Sequence, residues 1–132
     1  MKRPYLSPLE KGNIGERFTV RYLRRKWYKI KACQMRNQYS EIDIIAEKQD
    51  VVAFVEVKTR TDGQLLRPSA AVDLKKQKKI ISAALGYIQK HNIKKQVRFD
   101  VAEVYLEKDT CKVSKINYIE NAFSAGGSYT VF

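Results

Sequence analysis

The sequence is poor in the residues that build most small metal and nucleophile sites. It has one histidine, His91, and two cysteines, Cys33 and Cys111, which lie far apart and outside any CxxC or Cys/His cluster. A zinc site takes about four such ligands, so these three residues cannot fill one. Both cysteines are expected to be packed thiols in a reducing cytoplasm. A single histidine also argues against His-based nucleophilic catalysis. No apolar run approaches the ~20 residues of a membrane span and no signal-peptide pattern opens the chain, so a cytoplasmic setting without a membrane partner is expected. Acidic charge is scarce as well: 14 Asp and Glu face 26 Lys and Arg, a formal net charge of +12. Such an excess attracts polyanions, with nucleic acid the leading candidate and an anionic membrane surface the competing one.

What is present suffices for a core. Apolar residues make up 44% and aromatics 11% of 132 residues, which excludes compositional disorder and fits one domain, 1–132, with 1–6 and 124–132 loosely ordered. No internal repeat, linker or low-complexity segment interrupts it.

The stretch from Glu41 to Arg60 organises the chain. It reads as two strands, Glu41–Ala46 and Val51–Thr59, joined by the polar turn Glu47-Lys48-Gln49-Asp50. Side chains alternate faces along a strand. Glu41 and Asp43 are therefore expected on one face with Ile42 and Ile44 on the other, and Glu56 and Lys58 on one face with Val55 and Val57 opposite. Charges embedded in apolar strands are costly unless they pair or hold a metal. An Asp followed across a hairpin by Glu-x-Lys is the pattern of a divalent-metal phosphodiesterase.

The remaining elements frame that hairpin. Ser7-Pro8 opens a helix to about Lys26, with Leu9, Phe18, Tyr22 and Leu23 among its buried side chains and Gly12 and Gly15 weakening it. Glu16 borders its apolar stripe. Trp27–Cys33 reads as a strand, Arg36–Ser40 as a polar break, and Thr61–Gln64 as a turn. Ser69 is expected to cap a helix to Lys90, with Val72, Ile80, Ile81, Ala84, Leu85 and Ile88 facing inward. Its Lys75, Lys76, Lys78 and Lys79 form either a solvated face or a phosphate-contacting ridge. After the basic loop Asn92–Gln96, strands are expected at Val97–Leu106 and Cys111–Tyr118. Helix, three strands, helix, two strands gives an α/β fold with a mixed five-stranded sheet flanked by helices.

Phosphodiester hydrolysis needs a positioned water, a Lewis acid on the phosphate and a stabiliser of developing charge. Asp43 and Glu56 suit Mg2+ (or Mn2+), with the Val57 carbonyl as the backbone ligand between them. Lys58 is placed to orient or deprotonate the water, and Thr59 and Arg60 to border the phosphate path.

The blocks Gly12-x-x-Gly15-Glu16, Glu41-Ile42-Asp43-Ile44-Ile45-Ala46, Phe54-Val55-Glu56-Val57-Lys58-Thr59-Arg60, Arg98-Phe99-Asp100-Val101 and Asn121-Ala122-Phe123 occur in order over about Lys11 to Phe123. Together they resemble a bacterial family of small predicted endonucleases related to archaeal Holliday junction resolvases, within the PD-(D/E)xK superfamily. The resemblance implies a restriction-endonuclease-like fold and a metal-dependent nuclease acting on DNA, with branched or repair intermediates among the substrate classes. It also implies an active site of Asp43, Glu56 and Lys58, adds Glu16 to the metal site and places Gln77 near it. Resolvase relatives act as dimers, so a homodimer is a further expectation. Where the family has Gly before its Glu-Ile-Asp, this chain has Ser40, so the loop ahead of Asp43 is expected to differ. Two other readings stand beside this one: a non-catalytic nucleic-acid-binding protein with the same fold, and a partner-binding domain whose Glu56–Lys58 pair is an internal salt bridge.

Overall fold

The computed structural model describes residues 6–62 and 72–124. Seven elements follow one another: α1 (Pro8–Arg25), β1 (Lys29–Arg36), β2 (Glu41–Lys48), β3 (Val51–Thr61), α2 (Leu74–His91), β4 (Gln96–Leu106) and β5 (Val113–Phe123). The five strands form one sheet in chain order. Pairing is antiparallel except between β3 and β4, which run parallel because the chain crosses over through α2. The structure is thus α/β, with a mixed five-stranded sheet and two helices. Among the described residues no helix is long and apolar enough to cross a membrane.

Local chemistry sets the helix ends. Ser7 accepts the Glu10 N–H at 3.2 Å while Glu10 accepts the Ser7 N–H at 3.0 Å, a reciprocal cap on α1. Asp73 caps α2 by accepting the Lys76 N–H at 2.8 Å. The expected cap at Ser69 lies outside the described residues, as do Gly63 and Gln64 of the expected turn, Met1–Tyr5 and the chain after Ser124. Trp27 does not open a strand. Its φ of 72° places it in the turn after α1, 85% exposed, and β1 starts two residues later.

The sheet separates two cores. On one side Ile42, Ile45, Phe54, Phe99, Val101 and Phe123 pack against Ile80, Ala83 and Ala84 of α2. On the other, Ile44, Ala46, Ala53, Val55 and Ala102 pack around Leu23 of α1 and Tyr28. The buried row of α1 is Gly15, Thr19 and Leu23, spaced by four. Leu9 falls a third of a turn off that row and is 74% exposed, contrary to expectation. Leu85 likewise lies off the α2 row of Gln77, Ile80 and Ala84 and is half exposed. Cys33 is also exposed instead of packed.

One expected face assignment fails in an informative way. Ile42 and Ile44, two residues apart, belong to opposite cores. The alternation of β2 therefore slips by half a period at Asp43. Across the ladder, between the pairs Cys33–Ile44 and Met35–Ile42, Gln34 of β1 has a φ of 51°. Ser40, by contrast, has no positive φ, so a serine there carries no backbone strain.

Candidate functional site: a carboxyl pair where the sheet divides

Residue pairing between β2 and β3 stops at Ile44–Val55. One step further, where Asp43 would pair with Glu56, the ladder is replaced by a side chain: Asp43 Oδ2 accepts the Val57 N–H at 2.8 Å. The Asp43 carboxyl also lies close enough to that of Glu56 for the two to act on one another directly. Because β2 is twisted here, Asp43 sits at the seam between the two sides of the sheet. Glu56 approaches from the α2 side, since it pairs with Val101 of that core. Glu16 approaches from α1.

The electrostatics follow from this crowding. The Asp43 pKa is pushed up to about 7, first by burial and then by the Glu56 charge, while the Val57 N–H pulls it down. The Glu16 carboxyl is also raised by burial and by Asp43 and Glu41, against the lowering effect of the Gln34 amide, which donates to Glu16 Oε2 at 3.1 Å. Glu41 is tied to Arg36 by an ion pair of 2.8 Å. Lys58 Nζ stands 3.3 Å from Glu56 Oε2, on the same side of the sheet.

Among the described residues no three His, Cys, Asp or Glu side chains converge closely enough to hold a metal ion. Two do meet, Asp43 and Glu56. Two oxygen ligands with room for waters is the donor set Mg2+ takes when the rest of its shell is solvent and substrate. The raised Asp43 pKa fits that chemistry, because a cation between the carboxyls would remove the repulsion that holds a proton there. The contact Val57 makes with Asp43 is through its N–H, on the edge of β3 that faces β2.

The other candidates are spread out. The Thr59 hydroxyl is buried without a hydrogen-bond partner, and a Cβ at Gly15 would overlap it. Thr59 thus faces α1, and Gly15 is the close-approach glycine; Gly12 has nothing within 4 Å. Arg60 buries its Nε with no partner. Lys75, Lys78 and Lys79 are exposed and Lys76 half-buried, all in the first turns of α2. Gln77 is buried, its amide donating to the Val72 carbonyl at 3.1 Å. Beside Lys58, Val57, Thr59 and Thr61 of β3 and Pro8, Lys11 and Gly12 of α1 enclose a hollow of about 350 Å3.

Two residues outside these expectations matter. Gln34 holds Glu16, and only its positive φ, invisible in a glutamine, brings it there. Glu103 pairs in register with Lys58 on β4, is 1% exposed and accepts the Asn117 amide at 2.9 Å. An acid in the apolar run of β4 was the available signal. Asp100, on the opposite face, is fully buried and saturated: it accepts Arg98 twice, the Tyr118 hydroxyl at 2.6 Å and the Asn121 N–H at 2.9 Å. It is a structural hub, and the Tyr118 hydroxyl it holds is strongly raised by burial and by that charge.

Comparison with known proteins places this arrangement. Residues 15–104 match the family described as "Uncharacterised protein family UPF0102". The chain belongs to this family. A UPF0102 protein of Caldanaerobacter subterraneus subsp. tengcongensis is 44% identical over 113 residues, covering 85% of this chain and 93% of the relative. One from Clostridioides difficile is 45% identical over 115 residues, covering 86% and 96%. A UPF0102 protein of Myxococcus xanthus retains 34% identity over 118 residues, covering 89% and 91%. The family match runs from Gly15 to Val104, so Glu16, Asp43, Glu56, Lys58 and Glu103 all lie within it.

Proposed function

We propose that this UPF0102 protein is a metal-dependent endonuclease that hydrolyses phosphodiester bonds in DNA, with branched or repair intermediates as the substrate class. On this reading the fold is restriction-endonuclease-like and the family is related to archaeal Holliday junction resolvases. The observation that carries it is the Asp43–Glu56 carboxyl contact at the division of the sheet, with Lys58 Nζ 3.3 Å from Glu56. Mg2+ or Mn2+ held by Asp43 and Glu56 would supply the Lewis acid on the scissile phosphate. The Val57 N–H orients Asp43 by its 2.8 Å bond. Lys58, fixed by Glu56, would orient a water beside the carboxyls by donating to it and would stabilise negative charge developing on the phosphate. Glu16, positioned by Gln34, adds negative charge on the α1 side that favours a cation there.

Charge supports the choice of substrate. The net charge of +12 draws polyanions. Lys75 and Lys76 follow the Asp73 cap in the first turn of α2, where each cation opposes the helix dipole at a cost of roughly 0.3–1 kcal/mol that the one carboxylate offsets only in part. A phosphate backbone would offset that penalty. A cytoplasmic location and a homodimer belong to the same proposal. The rival reading, a non-catalytic nucleic-acid binder, draws on the ion pair that already engages Lys58.

The test is cleavage of flapped, junction and single-stranded DNA with Mg2+ or Mn2+, by the wild type, Asp43→Asn and Lys58→Ala. Metal-dependent cleavage that disappears in both variants, with DNA affinity retained, is the expected result. Cleavage equal in all three would refute the assignment, and tight DNA binding without cleavage would favour the binder.

A further inference from the structure

A second concave site lies beyond the C-terminal end of β1. The turn after β1 folds onto α2 and encloses a groove of about 360 Å3, within the roughly 300–1,000 Å3 typical of small-molecule sites. Arg36, Asn37, Tyr39, Tyr87, Lys90 and His91 contribute most of its chemistry, and no Asp or Glu lines it.

The groove is built. Asn37 pins the turn to the helix: its Nδ2 donates to the Ala83 carbonyl at 2.9 Å, and its Oδ1 accepts the N–H groups of Tyr39 at 3.0 Å and Ser40 at 3.4 Å. Gly86 makes this seating possible, because a Cβ there would lie 3.2 Å from Asn37 Nδ2 and 3.6 Å from the Tyr39 ring. On the helix, the Tyr87 ring is anchored edge-on against buried Phe54 and lies tilted by 35° against His91, with centroids 4.1 Å apart. Tyr39 is half exposed. A tyrosine ring left half in water beside a fixed aromatic pair offers a face to a flat ligand.

We infer that this groove binds an unpaired nucleotide of a single-stranded nucleic acid, its base stacked on Tyr39 beside the Tyr87–His91 pair and its phosphates met by Arg36 and Lys90. Each chemical requirement is present. Sequence-tolerant single-strand binding combines cations that track the backbone with aromatic faces for the bases. A duplex keeps its bases stacked inside and offers no free face to Tyr39. Arg36, one of the groove's walls, is bonded to Glu41, two residues before Asp43 on β2. The inference rests on the nucleic-acid part of the proposed function and not on cleavage.

The test measures binding of the full chain to a labelled single-stranded oligothymidylate and to a duplex of equal phosphate number, in chelator so that nothing is cut. Tyr39→Ala is expected to weaken single-strand binding by about 5- to 100-fold, the range of one base stack removed, with duplex affinity within about twofold of wild type. Tyr39→Phe, which keeps the ring, is expected to retain single-strand affinity. Unchanged single-strand binding by Tyr39→Ala would overturn the inference, as would equal weakening on both probes. The two proposals fail separately. A chain that never cleaves DNA but shows the selective weakening keeps the groove and loses the nuclease. Metal-dependent cleavage combined with an indifferent Tyr39→Ala removes the groove alone.

Discussion

Replacing Asp43 by Asn should stabilise the metal-free protein, and the size of that gain should depend on pH in one direction only. The Asp43 carboxyl is raised from its ordinary 3.8 to about 7, by burial first and the neighbouring Glu56 second. A carboxyl raised on folding holds its proton more tightly in the folded chain than in the unfolded one. Between about pH 4 and pH 7 the folded state therefore binds more protons, and stability falls as pH rises. The stabilising proton is fully present below pH 4 and gone above pH 7. At about 1.4 kcal/mol per pH unit the span is about 4 kcal/mol at most. Asp43 is only half-buried, so solvent screening reduces this to on the order of 2 kcal/mol. Asparagine keeps an oxygen for the Val57 N–H and removes the charge. Urea denaturation in chelator at pH 4 and pH 8 should find the two proteins similar at pH 4 and the variant more stable by about 2 kcal/mol at pH 8. Comparing the two chains cancels the titration of groups remote from Asp43, while Glu16, whose carboxyl the Asp43 charge raises, relaxes in the variant and adds to the gain in the same direction. A variant less stable than the wild type at pH 8, or a difference that does not grow with pH, would refute the crowding of charge on which the site rests.

Other substitutions probe the frame around the carboxyls. Gly15→Ala should cost about 1–3 kcal/mol, because its Cβ would overlap the buried Thr59 hydroxyl, whereas Gly12→Ala, with open space, should stabilise α1 by up to about 1 kcal/mol; urea midpoints of the two variants check the contrast. Asp100→Ala strands Arg98 and the Tyr118 hydroxyl in the interior and should cost about 3–5 kcal/mol by the same measurement. Replacing Lys75, Lys78 and Lys79 together by Ala should flatten the salt dependence of DNA binding by about 0.9 in log–log slope for each phosphate they no longer neutralise. An unchanged slope would make these lysines a plain solvated face.

Much of this was legible because the hairpin writes its chemistry at period two. Glu56 and Lys58 could be placed on one face from spacing alone, and the turn of two apolar strands located both. The same rule misplaced Ile42 and Ile44, since nothing in Glu-Ile-Asp-Ile announces that the strand twists by half a period at Asp43. That twist is what lets Asp43 reach Glu56 and the Val57 N–H. Gln34, which orients Glu16, was unreadable for a similar reason: its role depends on a positive φ in a residue type that rarely signals one. Helix existence was clear from capping residues, but helix phase was not. Leu9 and Leu85 are good helix formers a fraction of a turn from the buried rows, so their hydrophobicity misled where the spacing of Gly15, Thr19 and Leu23 would not. Ser69 and Asp73 are both competent caps, and composition does not choose between them; the described helix begins at Asp73. The groove beneath Tyr39 depends on the turn after β1 docking onto α2 through Asn37, a long-range hydrogen bond with no sequence periodicity.

The central claim is that Asp43 and Glu56 jointly hold a divalent cation. Calorimetric titration of the full chain with Mn2+, at millimolar metal and near neutral pH, tests it without requiring the right DNA substrate. The account predicts saturable binding by the wild type, with proton release because Asp43 titrates at about pH 7, and no binding by Asp43→Asn. Equal heats from the two proteins, or none from either in the presence of a DNA ligand as well, would contradict it.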